Sequence, residues 1–272
     1  MKISIITPSF NQAEFIERTI RSVITQSGDF DLEYIIMDGL STDGSVDIIS
    51  DYKSAIDNGD IEIRCKSIDF IWKSEKDSGQ SDAINKGLEI STGDIVTYLN
   101  SDDTYEQGTL DIVSKTLGAS DNKWCYGKCR IIDRYDREIR KMITSYKNLL
   151  GSKYSYPKLL SENFICQMTV FWKREAMSEV GLFDINEHLC MDYEYWLRLG
   201  KRYDPVFIDR YLSNFRFYQT SKSGSRFAMQ FKDELRLAEK YAMGKYRISL
   251  ILHKFNYYKI VLSYKILTFF GI

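Results

Sequence analysis

The stretch Tyr98-Leu-Asn-Ser-Asp-Asp103 decides how this chain is read, because the apolar run over 94–99 ends directly on two adjacent carboxylates. A strand that ends this way delivers hard oxygen ligands to the rim of a sheet. In open α/β sheets ligands bind beyond the carboxyl ends of the strands, and paired acids there can hold Mg²⁺ or Mn²⁺ against a substrate diphosphate. The same residues also suit a plain turn, with Asp102 and Asp103 capping the chain before a helix near Gly108.

Working outward, Ile3-Ser-Ile-Ile-Thr-Pro-Ser-Phe-Asn11 is a buried-strand pattern that stops at Pro8. Phe15, Ile16, Thr19, Ile20 and Val23 then recur at helical spacing over 12–26. A second strand, 33–37, ends at Asp38-Gly-Leu-Ser-Thr-Asp-Gly-Ser45, placing another carboxylate at a strand's C-terminal end before a helix over 45–56. The polar loop from Ser74 enters a helix over 81–90 whose first amides can face a phosphate or ribose. Met191-Asp-Tyr-Glu-Tyr-Trp-Leu-Arg-Leu199 sets an acid at the start of an aromatic-rich helix. Further strands are expected at 61–65, at 124–132 paired with 138–144, and at 165–172, with an irregular loop over 145–157. Helices are expected over 174–180, 192–199 and 226–241.

Four of these strings, Asp38-Gly-Leu-Ser-Thr-Asp-Gly-Ser, Gly79-Gln-Ser-Asp-Ala-Ile-Asn-Lys-Gly, Asn100-Ser-Asp-Asp and Met191-Asp-Tyr-Glu-Tyr-Trp-Leu-Arg-Leu, occur in one order. Over residues 1–225 the chain thereby resembles the inverting nucleotide-sugar glycosyltransferases of family 2. The resemblance implies a GT-A fold: α/β, Rossmann-like, with a mostly parallel central sheet flanked by helices. It divides the chain into a nucleotide-binding half (1–103), an acceptor half (104–225) and a C-terminal helical extension (226–272). It also implies a nucleotide-diphosphate sugar donor, UDP being the first choice, with Mn²⁺ or Mg²⁺ and inversion at the anomeric carbon.

A sugar hydroxyl is a poor nucleophile near neutral pH, so transfer needs a general base, and charge building on the departing diphosphate needs an electrophile. The family pattern puts Asp103, with Asp102 beside it, on the metal and makes Asp192 the base. Asp38 is assigned to the nucleobase, with Thr7, Pro8 and Ser9 as the adjoining wall. Gln80, Asp82 and Asp102 are assigned to the rest of the nucleotide sugar, and Asn85 braces its loop. Met191, Tyr193 and Trp196 are placed against the acceptor, although Trp196 also falls at core spacing. Two positions depart from the familiar pattern: Met191 stands where many relatives carry an acid, and Tyr218 stands where a histidine commonly follows the Phe-Arg pair. A phenol is a weaker metal ligand than imidazole, so Tyr218 is expected to pack or hydrogen-bond near the diphosphate, with Arg216 or Lys222 compensating charge.

Composition narrows the class. A formal net charge of −1 argues against nucleic acid as a partner, and 44% apolar residues over 272 provide for a sizeable core. The cysteines are five, scattered and without a repeated Cys-x-x-Cys frame, which suits a reducing compartment and buried thiols at Cys125 and Cys129. Met1-Lys2 leads straight into a strand rather than a signal-peptide pattern, so a cytoplasmic catalytic body is expected. From Tyr241 onward the chain carries Lys245, Arg247, Lys254, Lys259 and Lys265 among Leu, Ile, Phe and Tyr, with no acid. Lysines interrupt every apolar run, so residues 245–272 are expected to lie on an anionic membrane surface, as in a peripheral protein of the inner face, rather than span it. Packing on the domain or on a second copy is the other use of such a segment. The expected acceptor is a saccharide, lipid-linked, in bacterial-type surface glycan assembly. A sugar-phosphate nucleotidyltransferase would want a Gly-rich basic loop where Thr7–Asn11 stands, and a non-catalytic membrane-associated nucleotide-sugar-binding module would not need Asp103 and Asp192.

Overall fold

The computed structural model describes residues 1–218 and 227–269, with side chains described as far as Lys259. β1 (Lys2–Ser9) is buried at every position after Lys2, as a strand covered on both faces must be. β2 (Asp31–Asp38) and β3 (Ser67–Ser74) extend it on one side and β4 (Ile95–Tyr98) on the other, all parallel. The crossovers are α1 (Ile16–Ile24), α2 (Ser45–Asp57) and α3 (Gln80–Ile90). Two glycines permit this packing. Gly79 enters α3 at φ 118°, where side chains are strained, and a Cβ on Gly87 would stand 2.5 Å from Ile6 Cγ2, so α3 can lie close on β1.

Beyond β4 the sheet becomes mixed, which refines the expectation of a mostly parallel sheet. The order is β3-β2-β1-β4-β8-β6-β9-β5, where β5 is Thr104–Tyr105, β6 Trp124–Ile132, β8 Phe171–Lys173 and β9 Val206–Arg216. A two-residue β7 (Glu138–Ile139) pairs with β6. α4 (Thr109–Gly118), α5 (Lys141–Gly151), α6 (Tyr156–Ser161), α7 (Arg174–Val180) and α8 (Met191–Gly200) complete the body.

Several local expectations are corrected. The strand expected at 61–65 forms at Ser67–Ser74, because β2 offers a full-length register from Asp31 to Asp38 that only this segment matches. The strand expected over 138–144 stops at Ile139, since Arg140 turns at φ 53° and α5 begins at Lys141. The expected loop over 145–157 is therefore largely helix, and Ser155 caps α6 by accepting a bond from the Lys158 N–H. Residues 165–172 form a 3-10 turn (Gln167–Thr169) and then β8. β9 was not anticipated; it pairs with β6 through register shifts at Gly127–Cys129.

Alternation along β1 and β2 divides the core between the two faces of the sheet. Ile3, Ile5, Leu32, Tyr34 and Ile36 pack with α1 and α4, together with Cys125 and Cys129, which are buried as expected. Ile6, Ile35 and Met37 pack on the other face with Trp124, Trp172 and Trp196. α9 (Phe227–Ala242) joins that second face through Leu237, Ala238 and Ala242, so the start of the C-terminal extension is part of the core. α10 (Arg247–Phe269) follows, tied to α6 by His253 Nδ1 at 2.8 Å from the Leu160 carbonyl.

Candidate active site

Three element ends meet at one edge of the sheet. The chain leaving β4 carries Asn100, Asp102 and Asp103; α3 starts with Gln80 and Ser81; α8 starts with Met191 and Asp192. Gln80 Nε2 donates to Asn100 Oδ1 at 2.6 Å, and Ser81 Oγ donates to Met191 Sδ, so α3 is stitched to both neighbours. Asn100 in turn donates to Gln167 Oε1 at 3.2 Å, and Gln167 Nε2 donates to the Tyr98 carbonyl at 2.8 Å. Burial, joined by the nearby carboxylates of Asp192 and Asp103, pushes the Tyr98 phenol far above its ordinary range. The base candidate and Asp103 of the acidic pair thus stand about one tyrosine.

The two acids of the pair differ sharply. Asp103 is 0% exposed; its Oδ1 accepts the Arg216 N–H at 2.8 Å and its Oδ2 faces Asn100 Nδ2 at 3.3 Å. Asp102 is half-buried, and its Oδ2 accepts the Tyr218 hydroxyl at 2.8 Å. Asp103 thus locks the end of β9 to the acidic turn, and Asp102 is the less buried carboxylate of the pair. Arg216, expected to compensate charge, is built into the scaffold. It is fully buried, with Nε on the Asp102 carbonyl, Nη1 on the Asp133 carbonyl (both 2.8 Å) and Nη2 2.6 Å from Asp136. Lys222 lies outside the described residues.

Other assigned residues also divide. Asp38 is 1% exposed and holds its own turn, accepting from Ser41 N (3.0 Å), Ser41 Oγ (2.5 Å) and Ser74 Oγ (2.6 Å). Thr7 is buried with its hydroxyl on Tyr34, and Pro8 is buried beside it. Ser9 Oγ is buried without a partner at the strand end, a polar atom that a ligand could satisfy. Asp82 turns back to accept the Ser78 N–H at 2.9 Å rather than facing the site. Asn85 braces Phe183 through both its N–H and its carbonyl, as expected. Tyr193 and Trp196 do not face an acceptor: both are 0% exposed, Tyr193 donating to the Leu159 carbonyl and Trp196 stacked on Trp124 with centroids 6.2 Å apart. On a helix covered by α6 and α9 the aromatic face is core.

A sequence model of "Glycosyl transferase family 2" matches residues 4–181, more than half of the chain. The chain belongs to glycosyltransferase family 2. The "Putative teichuronic acid biosynthesis glycosyltransferase TuaG" of Bacillus subtilis is 28% identical over 225 residues, covering 82% of this chain and 82% of that protein. A "PGL/p-HBAD biosynthesis glycosyltransferase" of Mycobacterium bovis is 26% identical over 212 residues, covering 77% and 73%. Among solved structures, the Pyrobaculum calidifontis mannosyltransferase in complex with GDP-Man and Mn²⁺ superposes with a TM-score of 0.64 at 17% identity, over 93% of this chain and 72% of that one. Residues 1–349 of S. aureus TarS in complex with UDP-GlcNAc give 0.63 at 14%, over 90% and 67%. This chain spans 40% of a longer TarS chain. These likenesses establish the GT-A fold, and family membership makes the protein a glycosyltransferase.

The family's divalent metal fits the residues present. Among the described residues no cluster of three His, Cys, Asp or Glu could enclose an ion. Asp102, half-exposed at a strand end, instead suits a Mg²⁺-type ion that takes one or two carboxylates and completes its shell with substrate phosphates and water.

Residues without a motif complete the site around Asp192. Cys190 Sγ donates to the Gln230 carbonyl at 3.3 Å, which seats the first turns of α9 against the start of α8. One turn on, Glu234 is 4% exposed and accepts from Asn163 Nδ2 at 3.2 Å. Burial pushes its carboxyl up to about 7, with the Asp192 charge adding to the effect against the pull of Asn163 and Lys147. Burial also raises Asp192, while the Tyr193 N–H, at 2.8 Å, and the Lys147 ammonium pull it back. Sequence spacing carries no signal for Lys147 or Glu234, because the first falls in the loop expected over 145–157 and the second in the polar helix expected over 226–241, outside the expected catalytic domain.

Glu234 makes a stability prediction. Between its ordinary 4.5 and about 7 the folded chain holds a proton that the unfolded chain has released, so folding stability falls as pH rises through that window. Glu234→Gln removes the dependence and raises stability at pH 8 by on the order of 3 kcal/mol. Urea unfolding at pH 5 and pH 8 checks it; parallel behaviour of the two proteins would contradict it.

Proposed function

We propose that this glycosyltransferase moves a sugar from a UDP-sugar to a hydroxyl of a membrane-held saccharide, with inversion at the anomeric carbon. The observation that carries the reading is that Asp103, on the chain leaving β4, and Asp192, at the start of α8, both stand near Tyr98, with Asp102 adjacent in the same acidic turn. Asp192 takes the acceptor hydroxyl proton on its free carboxylate edge, while its bond from the Tyr193 N–H fixes the orientation. Asp102 holds the divalent metal, which when bound neutralises charge on the leaving diphosphate. Gln80 and Asn100 hold the floor between them, and Arg216 and Asp103 keep the acidic turn from moving. The nucleotide sugars bound by the TarS and Pyrobaculum structures support a donor of this class, and the Mn²⁺ in the latter supports the metal.

Calorimetric titration of UDP, GDP and dTDP, with Mn²⁺ and again with EDTA, tests the donor side. Metal-dependent binding of UDP is expected, and a protein that binds none of the three would refute the reading.

The acceptor's lipid link rests on α10. No helix among the described residues is long and apolar enough to cross a membrane. Ile248, Ile251, Leu252, Phe255 and Tyr258 are nonetheless exposed on one helix, while His253 and Ser249 face the body. Arg247, Lys254 and Lys259 accompany that stripe, and a cavity of about 780 Å³ opens beside it between α6 and Tyr246–Leu252. Such a stripe enters the headgroup boundary of an anionic bilayer. Ile251→Glu with Phe255→Glu should cut sedimentation with anionic vesicles by about tenfold or more; equal binding by both proteins would remove the membrane from the proposal.

A further inference from the structure

Tyr218 stands at the one carboxylate that the proposed function gives to the metal. Its hydroxyl donates to Asp102 Oδ2 at 2.8 Å, its ring lies 5.1 Å from that of Phe15, and Gln12 also hydrogen-bonds the phenol. The contact is built rather than incidental. Arg216, two residues earlier, is cross-linked to the acidic turn twice, by its N–H on Asp103 Oδ1 and its Nε on the Asp102 carbonyl. Those bonds set the distance from which the phenol reaches the carboxylate.

A carboxylate oxygen has two lone pairs, and a divalent cation that took the one on Asp102 Oδ2 now facing the phenol would displace the O–H. The displaced phenol then needs another acceptor, and the oxygens of a metal-bound diphosphate are the strongest acceptors the reaction brings to the site. We propose that Tyr218 is a displaceable cap, holding Asp102 in the nucleotide-free protein and passing its hydrogen bond to the donor's diphosphate once nucleotide and metal are bound. The inference rests on the assignment of Asp102 to the metal. It gives one residue opposite effects on two affinities: against bare metal, for metal-bound nucleotide.

The test is Tyr218→Phe, which keeps the ring on Phe15. Mn²⁺ binding to nucleotide-free protein is followed by the electron paramagnetic resonance of the free ion, and UDP binding at saturating Mn²⁺ by calorimetry. The variant is expected to bind Mn²⁺ about tenfold more tightly and UDP about tenfold more weakly, each about 1.4 kcal/mol. Equal Mn²⁺ affinity in the two proteins, including no binding by either, overturns the cap, as does a loss of both affinities. Asp102→Asn separates the levels: if it leaves Mn²⁺ binding unchanged while the wild type binds UDP, the metal assignment falls and the cap with it. A wild type that binds no UDP refutes the site itself.

Discussion

Asp192→Asn is expected to lower sugar transfer by on the order of 10²–10⁴-fold, the range for removing a positioned general base, while leaving UDP and Mn²⁺ binding unchanged. The substitution is nearly isosteric and keeps the acceptor for the Tyr193 N–H, so α8 should start where it does now. What it removes is the basic lone pair facing the acceptor hydroxyl. The wild-type rate should carry a pH signature of the same group. Only the deprotonated carboxylate can accept the proton, and burial raises its pKa above the ordinary 3.8, so activity falls as pH drops through that raised value. Loss of the Lys147 ammonium, as in Lys147→Met, removes a group that favours the charged form and moves this acid limb to higher pH. Single-turnover transfer across pH, with calorimetry on each variant, reads all of this; an Asp192→Asn protein with near-normal turnover would remove Asp192 as the base.

The second large contrast is between neighbours. Asp102→Ala should leave thermal stability almost unchanged and weaken Mn²⁺-dependent UDP binding by roughly a hundredfold or more, since it deletes the half-buried carboxylate to which the proposed function gives the metal. Asp103→Ala should do its damage to the fold. It orphans the buried Arg216 N–H and takes away one of the two acceptors of the Asn100 amide at the junction of β4, β5 and β9, at a cost of about 1–3 kcal/mol. Calorimetric melting and UDP titration of both variants separate the roles. A stable Asp103→Ala protein that has lost metal-dependent UDP binding would restore Asp103 as the ligand.

The difference in burial within this pair shows where sequence reading stops. A strand that runs into Asp102 and Asp103 places both carboxylates at the sheet's edge, but they lie in a turn beyond β4, where no strand periodicity says which side chain is covered. Which side is wet depends on β9, whose end at Arg216 covers Asp103 from more than a hundred residues away in sequence. Asp38 follows the same logic: its place at the end of β2 was legible, but Ser74 on β3 reaches its carboxylate only after the two strands pair.

What the sequence by itself determined was the order of local events. Buried runs, Gly-Asp turns and apolar spacing specify β1, β2 and β4 and their parallel order, because those signals act over a few residues, whereas the half-exposed β3 is placed by its pairing with β2. The four motifs placed the acidic turn and Asp192 together within one family. Tertiary structure decided the rest: β9 and the mixed half of the sheet, the core duty of Tyr193 and Trp196, and the seating of α9 with Glu234 beside Asp192. Those outcomes turn on which surface covers which side chain. That is a property of distant contacts, and no local pattern encodes it.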